Sequence, residues 1–192
     1  EETVLGTDSL DDDSDGDGLG DGAEVSLGTN PASADSDDDG LGDEVELAGS
    51  GPLAAYGPTD PASADTDGDR VDDGVEAGVV EPVPARLSRS GLVMAGTRVG
   101  WVGDADATTT TDPTDVDTDG DGLTDGYEDR DANGRVDHIV GGTGTSGEGE
   151  TDPSLRDTDG DGIDDALELG FTDAMTASGR LFAADADPDT LT

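Results

Sequence analysis

Residues 117–128 read DTDGDGLTDGYE, with acidic side chains at every second position and then more widely spaced. Asp117, Asp119 and Asp121 stand at positions 1, 3 and 5, Gly122 at 6, Leu123 at 7, Asp125 at 9 and Glu128 at 12. A calcium ion takes roughly six to eight oxygens at flexible distances, and this alternation turns successive carboxylates toward one point. Position 7 offers a backbone carbonyl, position 9 often acts through a water, and a bidentate glutamate closes the shell. The chemistry open to this spacing is the binding of a hard divalent cation.

One match in an aspartate-rich chain could be chance, but four more copies follow the same register. Asp13, Asp15, Asp17, Gly18, Leu19, Asp21 and Glu24 form the first, and Asp35, Asp37, Asp39, Gly40, Leu41, Asp43 and Glu46 the second. The third is Asp65, Asp67, Asp69, Val71, Asp73 and Glu76; the fifth is Asp157, Asp159, Asp161, Gly162, Ile163, Asp165 and Glu168. The third copy has Arg70 where the others have the position-6 glycine. A left-handed backbone there costs a non-glycine residue roughly 1 kcal/mol, which predicts a distorted or weaker site. The aliphatic residue at position 7 of every copy is the expected peg of a very small core.

The elements around the loops are constrained by proline and glycine. Thr29-Asn30-Pro31, Thr59-Asp60-Pro61, Thr111-Asp112-Pro113 and Thr151-Asp152-Pro153 each set an Asn or Asp five residues ahead of a loop, and Thr7-Asp8 does so ahead of Asp13. Proline lacks the amide donor and pushes its predecessor into extended backbone, so no helix enters these loops. Gly28, Gly49 and Gly170 follow the closing glutamates so closely that about one helical turn fits after each loop.

Five D-x-D-x-D-x-x-x-D-x-x-E loops joined by T-D-P-like connectors resemble the thrombospondin type 3 repeat in its cysteine-free bacterial and archaeal form, across most of residues 1–76, 112–140 and 151–173. The resemblance implies an extended, calcium-filled rod, extracellular or on the cell surface, in which ions stand in for a hydrophobic core. EF-hand and dockerin domains resemble the chain less, because both need longer flanking helices. The expected fold is therefore mostly irregular, an elongated repeat rod with single-turn helices and at least five Ca2+ ions.

Loop starts are spaced by 22, 30, 52 and 40 residues, so insertions decorate a unit of 22. This divides the chain into repeats over 1–76, a β-rich insertion over 77–111, and further repeats over 112–192. Around Gly51 to Gly57 a small Gly/Pro loop carries Tyr56. The longer insertion holds Arg86, Arg89, Arg98 and Trp101 and two β-prone segments, LVMA and TRVGWV, which predict a hairpin or two short strands. It reads either as a local hairpin packed on its own repeats or as a basic surface for a partner.

Asp129, Asp131, Asn133, Gly134, Arg135 and Asp137 fit positions 1, 3, 5, 6, 7 and 9 of a degenerate sixth loop. Val140 at position 12 cannot ligate, and Glu150, ahead of the last connector, is the candidate to close it; His138 reads as a surface residue. Glu2 aligns with position 12 of an upstream loop, while Asp185, Asp187 and Asp189 open another. Two readings compete for these ends: a chain cut from a longer array, or head-to-tail copies sharing an ion, a heterologous contact that propagates as a filament. The chain opens on Glu1 in place of Met, which reads as a processed protein or a fragment.

Composition narrows the function. Aromatics are 3% and the formal net charge is −42, so without a ligand self-repulsion outweighs the small apolar area available. Five divalent ions add ten positive charges and leave −32, still unfavourable for nucleic acid or an anionic membrane. No apolar run approaches a membrane span, and nothing at the start reads as a signal peptide. There is no cysteine for disulfides or thiolate metal sites. The carboxylates sit at ligand spacing, with no nucleophile elbow, histidine-centred dyad or phosphate-cradling loop, which points away from an enzyme. The leading expectation is a calcium-rigidified structural protein, a head-to-tail filament or matrix subunit. The alternative is an adhesin stalk whose insertion at 77–110 binds a partner.

Overall fold

The computed structural model describes residues 6–136, 150–169 and 171. Turns and irregular backbone dominate, punctuated by short helices: α1 (Asp21–Leu27), α2 (Asp43–Ala48), α3 (Asp73–Glu76), α4 (Asp125–Glu128) and α5 (Asp165–Glu168). Each begins at position 9 of its loop, so the helix contains the closing glutamate instead of following it. Starting earlier leaves α1 and α2 more than the single turn expected. Both end on glycines in the left-handed region, Gly28 at φ +96° and Gly49 at φ +56°, whose amides donate to the carbonyls of Glu24 and Glu46.

The apolar core is small because the sequence supplies little for it. Leu41, Leu53 and Ala77 form a buried cluster, with Val45 and Val79 against it. Leu53, on a 3-10 turn at Gly51–Ala55, is the fully buried residue of the first insertion, whereas Tyr56 is half-buried and donates its hydroxyl to Thr110. Of the position-7 pegs, Leu41, Val71 and Leu123 are buried, while Leu19 and Ile163 at the two ends are only half-buried. Most of the other buried side chains are Asp and Glu. Removing these from water is costly unless hydrogen bonds or ions compensate.

The second insertion forms one antiparallel hairpin, β1 (Arg86–Leu87) against β2 (Val93–Met94), with Arg86 opposite Met94. Residues 97–102, expected as a strand, instead turn: the Trp101 amide bonds to the Arg98 carbonyl, and Gly100 sits at φ +97°. The hairpin packs on its own repeats, as the local reading expects. Ser88 Oγ and the Ser90 amide both reach Asp8 Oδ2 at 2.7 Å, and the Arg89 amide reaches Asp11 at 2.9 Å. The Arg86 and Arg89 guanidiniums donate to the carbonyls of Gly16 and Leu10. No helix among the described residues is long and apolar enough to cross a membrane.

Candidate metal centres

Inside each loop, backbone amides aim the aspartates. The position-1 carboxylate takes amides from positions 4 and 6: Asp35 from Asp38 and Gly40 at 2.8 and 3.1 Å, Asp65 from Gly68 and Arg70 at 2.7 and 3.0 Å, Asp157 from Gly160 and Gly162, both at 2.7 Å. The position-5 carboxylate takes the position-7 amide, as with Asp39 and Leu41 at 2.7 Å or Asp121 and Leu123 at 2.7 Å. The result gathers Asp13/Asp15/Asp17, Asp35/Asp37/Asp39, Asp65/Asp67/Asp69 and Asp117/Asp119/Asp121, each trio offering oxygens within 4.8 Å of one another. The third loop is not distorted. Arg70 adopts φ +98°, beside +100° at Gly40 and +98° at Gly162, and makes the same bond to position 1. The loop keeps its shape and carries the strain in one residue.

Position 2 is a hub that sequence reasoning overlooked, although each of the five full loops has Ser or Thr there. Ser14, Ser36, Thr66, Thr118 and Thr158 each accept the amide of the connector Asx, from Asp8, Asn30, Asp60, Asp112 and Asp152. Each also donates its hydroxyl and its own amide to the two oxygens of the position-9 aspartate, for example Thr118 to Asp125 at 2.6 and 2.9 Å. The connector, the loop and the start of the helix are thereby tied through one side chain.

Position 9, expected to serve its own loop through a water, also faces the loop before it. Asp73 gathers with Asp39 and Glu46 of the preceding loop, all three fully buried, with oxygens within 4.8 Å. A second bond repeats from loop to loop: the position-5 carboxylate accepts the position-10 amide of the next loop. Asp17 takes Glu44 at 3.3 Å, Asp39 takes Gly74 at 2.9 Å, Asp69 takes Gly126, and Asp121 takes Ala166 at 2.8 Å. The approach is close enough that a Cβ on Gly74 or Gly126 would meet the carbonyl of Asp39 or Asp69 at 2.2 or 2.3 Å.

The closing glutamates are among the most deeply enclosed of the candidate ligands. Glu24, Glu46, Glu76 and Glu128 are buried to 2% exposure or less. Thr59, Thr111 and Thr151 of the following connectors donate to one oxygen of Glu46, Glu76 and Glu128 at 3.1, 2.9 and 2.7 Å. The other oxygen of each has no partner, nor has either oxygen of Glu24 or Asp37. Burial, with Asp39, Asp67 or Asp121 nearby, pushes Glu46, Glu76 and Glu128 up to about 10. Glu168, less enclosed, reaches only about 7, chiefly through burial. Buried carboxylates facing one another with unpaired oxygens are paired with a cation or forced to protonate. The donors are all oxygen, with no sulfur or imidazole among them, the set that suits calcium or magnesium.

In the degenerate loop, Asp129 is buried and takes the position-6 amide of Gly134, and Asn133 takes that of Arg135, as in the full loops; the second amide on Asp129 comes from Asn133 at position 5 instead of position 4. Glu150 accepts the Arg130 amide at 3.2 Å, and its charge helps to raise Asp129. Asp137, His138, Glu2, Asp185, Asp187 and Asp189 lie outside the described residues.

Fold and site define a repeat protein whose successive acidic loops are built to enclose hard cations. Residues 13–34, 117–131 and 157–169 match the bacterial TSP3 repeat family. The TSP3 repeat is a structural calcium-binding repeat family, not an enzyme family. No curated protein and no solved structure matches the chain.

Proposed function

We propose that this chain is an extracellular calcium-binding structural protein in which each ion fastens one repeat to the next. The observation that supports it best is the buried group of Asp39 and Glu46 with Asp73, position 9 of the following loop, together with the closing glutamates Glu24, Glu46, Glu76 and Glu128, each of which keeps an oxygen without a hydrogen-bond partner among the described residues. In the full loops the ion takes positions 1, 3 and 5, the position-7 carbonyl and Glu at 12, with the neighbouring position 9 alongside. The loop at 129–135 takes Glu150 as its closing ligand and makes a sixth site. The described repeats within 1–76 and 112–192 form one elongated calcium-filled series with the 77–111 insertion laid on it. TSP3 repeats typically occur in extracellular or secreted proteins, where millimolar calcium keeps sites of roughly 10⁻⁴ to 10⁻³ M affinity filled.

Such a series serves as a filament or matrix subunit that associates with further copies of the chain. Calorimetric calcium titration with thermal melts by far-UV circular dichroism before and after chelation tests the metal reading: at least five ions should bind, and their removal should lower the melting temperature. Electron microscopy at millimolar calcium tests assembly, with filaments that dissolve on chelation as the expected result and monomers under both conditions as the result that refutes it.

A further inference from the structure

The second loop differs from its siblings at position 4. The other full loops place Gly16, Gly68, Gly120 and Gly160 there, at φ from +73° to +87°, and the second places Asp38 at φ +71°. A residue with a Cβ is strained in that conformation, so something outside the loop must hold it. The insertion does so at three points. The Arg98 amide donates to Asp38 Oδ1 at 2.6 Å, and the Thr97 hydroxyl donates to Asp35 Oδ2 at position 1. The Trp101 ring lies on position 6, where a Cβ on Gly40 would be 2.3 Å from its Cζ2 atom. The approach is fixed from behind: Ala95 pairs with Ser33, bonding to Ala32 and Ala34 at 2.8 and 3.2 Å, and the Val83 amide holds the Thr97 hydroxyl at 2.8 Å.

We propose that Thr97 and Trp101 are positioning residues that set the calcium affinity of the second loop from some sixty residues away. This inference rests on the calcium reading of the loops. A ligand carboxylate is aimed by the donors that hold it from outside: Asp38 holds Asp35 Oδ1, Gly40 holds Oδ2, and Thr97 adds a further outer bond to Oδ2. Loss of such outer partners typically weakens a metal site by about tenfold to a hundredfold. Conversely, an ion that fixes Asp35 and the turn through Asp38 fixes the surface on which the insertion rests. Calcium binding and docking of the insertion are therefore one coupled event, reciprocal by linkage.

Trp101 is the only tryptophan and half-buried, and its indole N–H is buried without a partner, so its emission reports on this loop alone. The test is a calcium titration of the full chain followed by Trp101 fluorescence and, in parallel, by calorimetry. In the parent chain the emission should shift over the range in which one ion binds. T97V should move that midpoint about tenfold to a hundredfold higher in calcium, with the stoichiometry at saturation unchanged, and T97S should restore it. A T97V midpoint equal to the parent's overturns the proposal.

If the parent binds no calcium by calorimetry, the calcium reading itself fails and the inference falls with it. Should T97V fold poorly, W101A followed by hydrogen exchange gives the same answer. Residues 35–46 should then need more calcium for protection than residues 117–128, and equal requirements would refute the positioning role.

Discussion

A carboxylate buried without a counter-charge has two ways to be neutralised, a proton or a cation, and the closing glutamates are placed to choose between them. Unfolded glutamates titrate near 4.5, whereas burial pushes Glu46, Glu76 and Glu128 up to about 10 in the metal-free fold. The folded chain thus holds protons that the unfolded chain has released, and metal-free stability falls as the pH rises from about 4.5 through about 10. In chelator, the melting temperature should be lower at pH 8 than at pH 5. Calcium must displace those protons, so its affinity should rise over the same interval; a metal-free melt that climbs with pH would contradict the arrangement. Glu128→Gln keeps an acceptor for Thr151 but removes the second anionic oxygen, and should lower calorimetric stoichiometry while loosening the region around 117–136, as hydrogen exchange would detect. At this scale part of the site was readable: the spacing anticipated the trios Asp13/Asp15/Asp17, Asp35/Asp37/Asp39, Asp65/Asp67/Asp69 and Asp117/Asp119/Asp121, which the fold brings together. Position 2 was missed because a hydroxyl between two aspartates looks like a spacer until its partner seven residues on, such as Asp125 for Thr118, is folded against it.

Helices and joints were less legible, since they depend on how one loop meets the next. Nothing in D-x-D-x-D reveals that Asp69 will accept the amide of Gly126, because that contact spans 57 residues. The same holds for 97–102, whose β-prone residues are used in a turn over the second loop. Two substitutions probe the joints. Gly126→Ala should destabilise the calcium-loaded chain by about 1–3 kcal/mol, since its Cβ would press on the Asp69 carbonyl at 2.3 Å. Gly22→Ala, the same position in the first loop, meets nothing within 4 Å and should be neutral or mildly stabilising, within about 1 kcal/mol. Thr118→Val should cost about 1–3 kcal/mol in thermal melts, because it leaves an Asp125 oxygen and the Asp112 amide without their shared hydroxyl. Equal melting temperatures for Gly126→Ala and Gly22→Ala would mean that the joint is not the tight contact described.

Across the whole molecule, stability comes from a series of nearest-neighbour joints more than from one core, as in other repeat proteins. Charge and composition foretold that much, for a net charge of −42 with 3% aromatics leaves no other interior to build. Partial calcium loading should therefore protect the chain against proteolysis in blocks, visible as discrete limit fragments; a single all-or-none loss of protection would point to one cooperative unit.

The return of each connector threonine to the closing glutamate has a further consequence. Thr59, Thr111 and Thr151 reach Glu46, Glu76 and Glu128 across sequence separations of 13, 35 and 23, with the same bond at each span. What leaves the stack after a glutamate comes back to that same glutamate, so the length of the excursion is invisible to the repeats. Each such gap is a port for grafting: a foreign domain whose ends lie close together can be spliced there without shifting the register, and a lineage could vary what it displays while leaving the scaffold untouched.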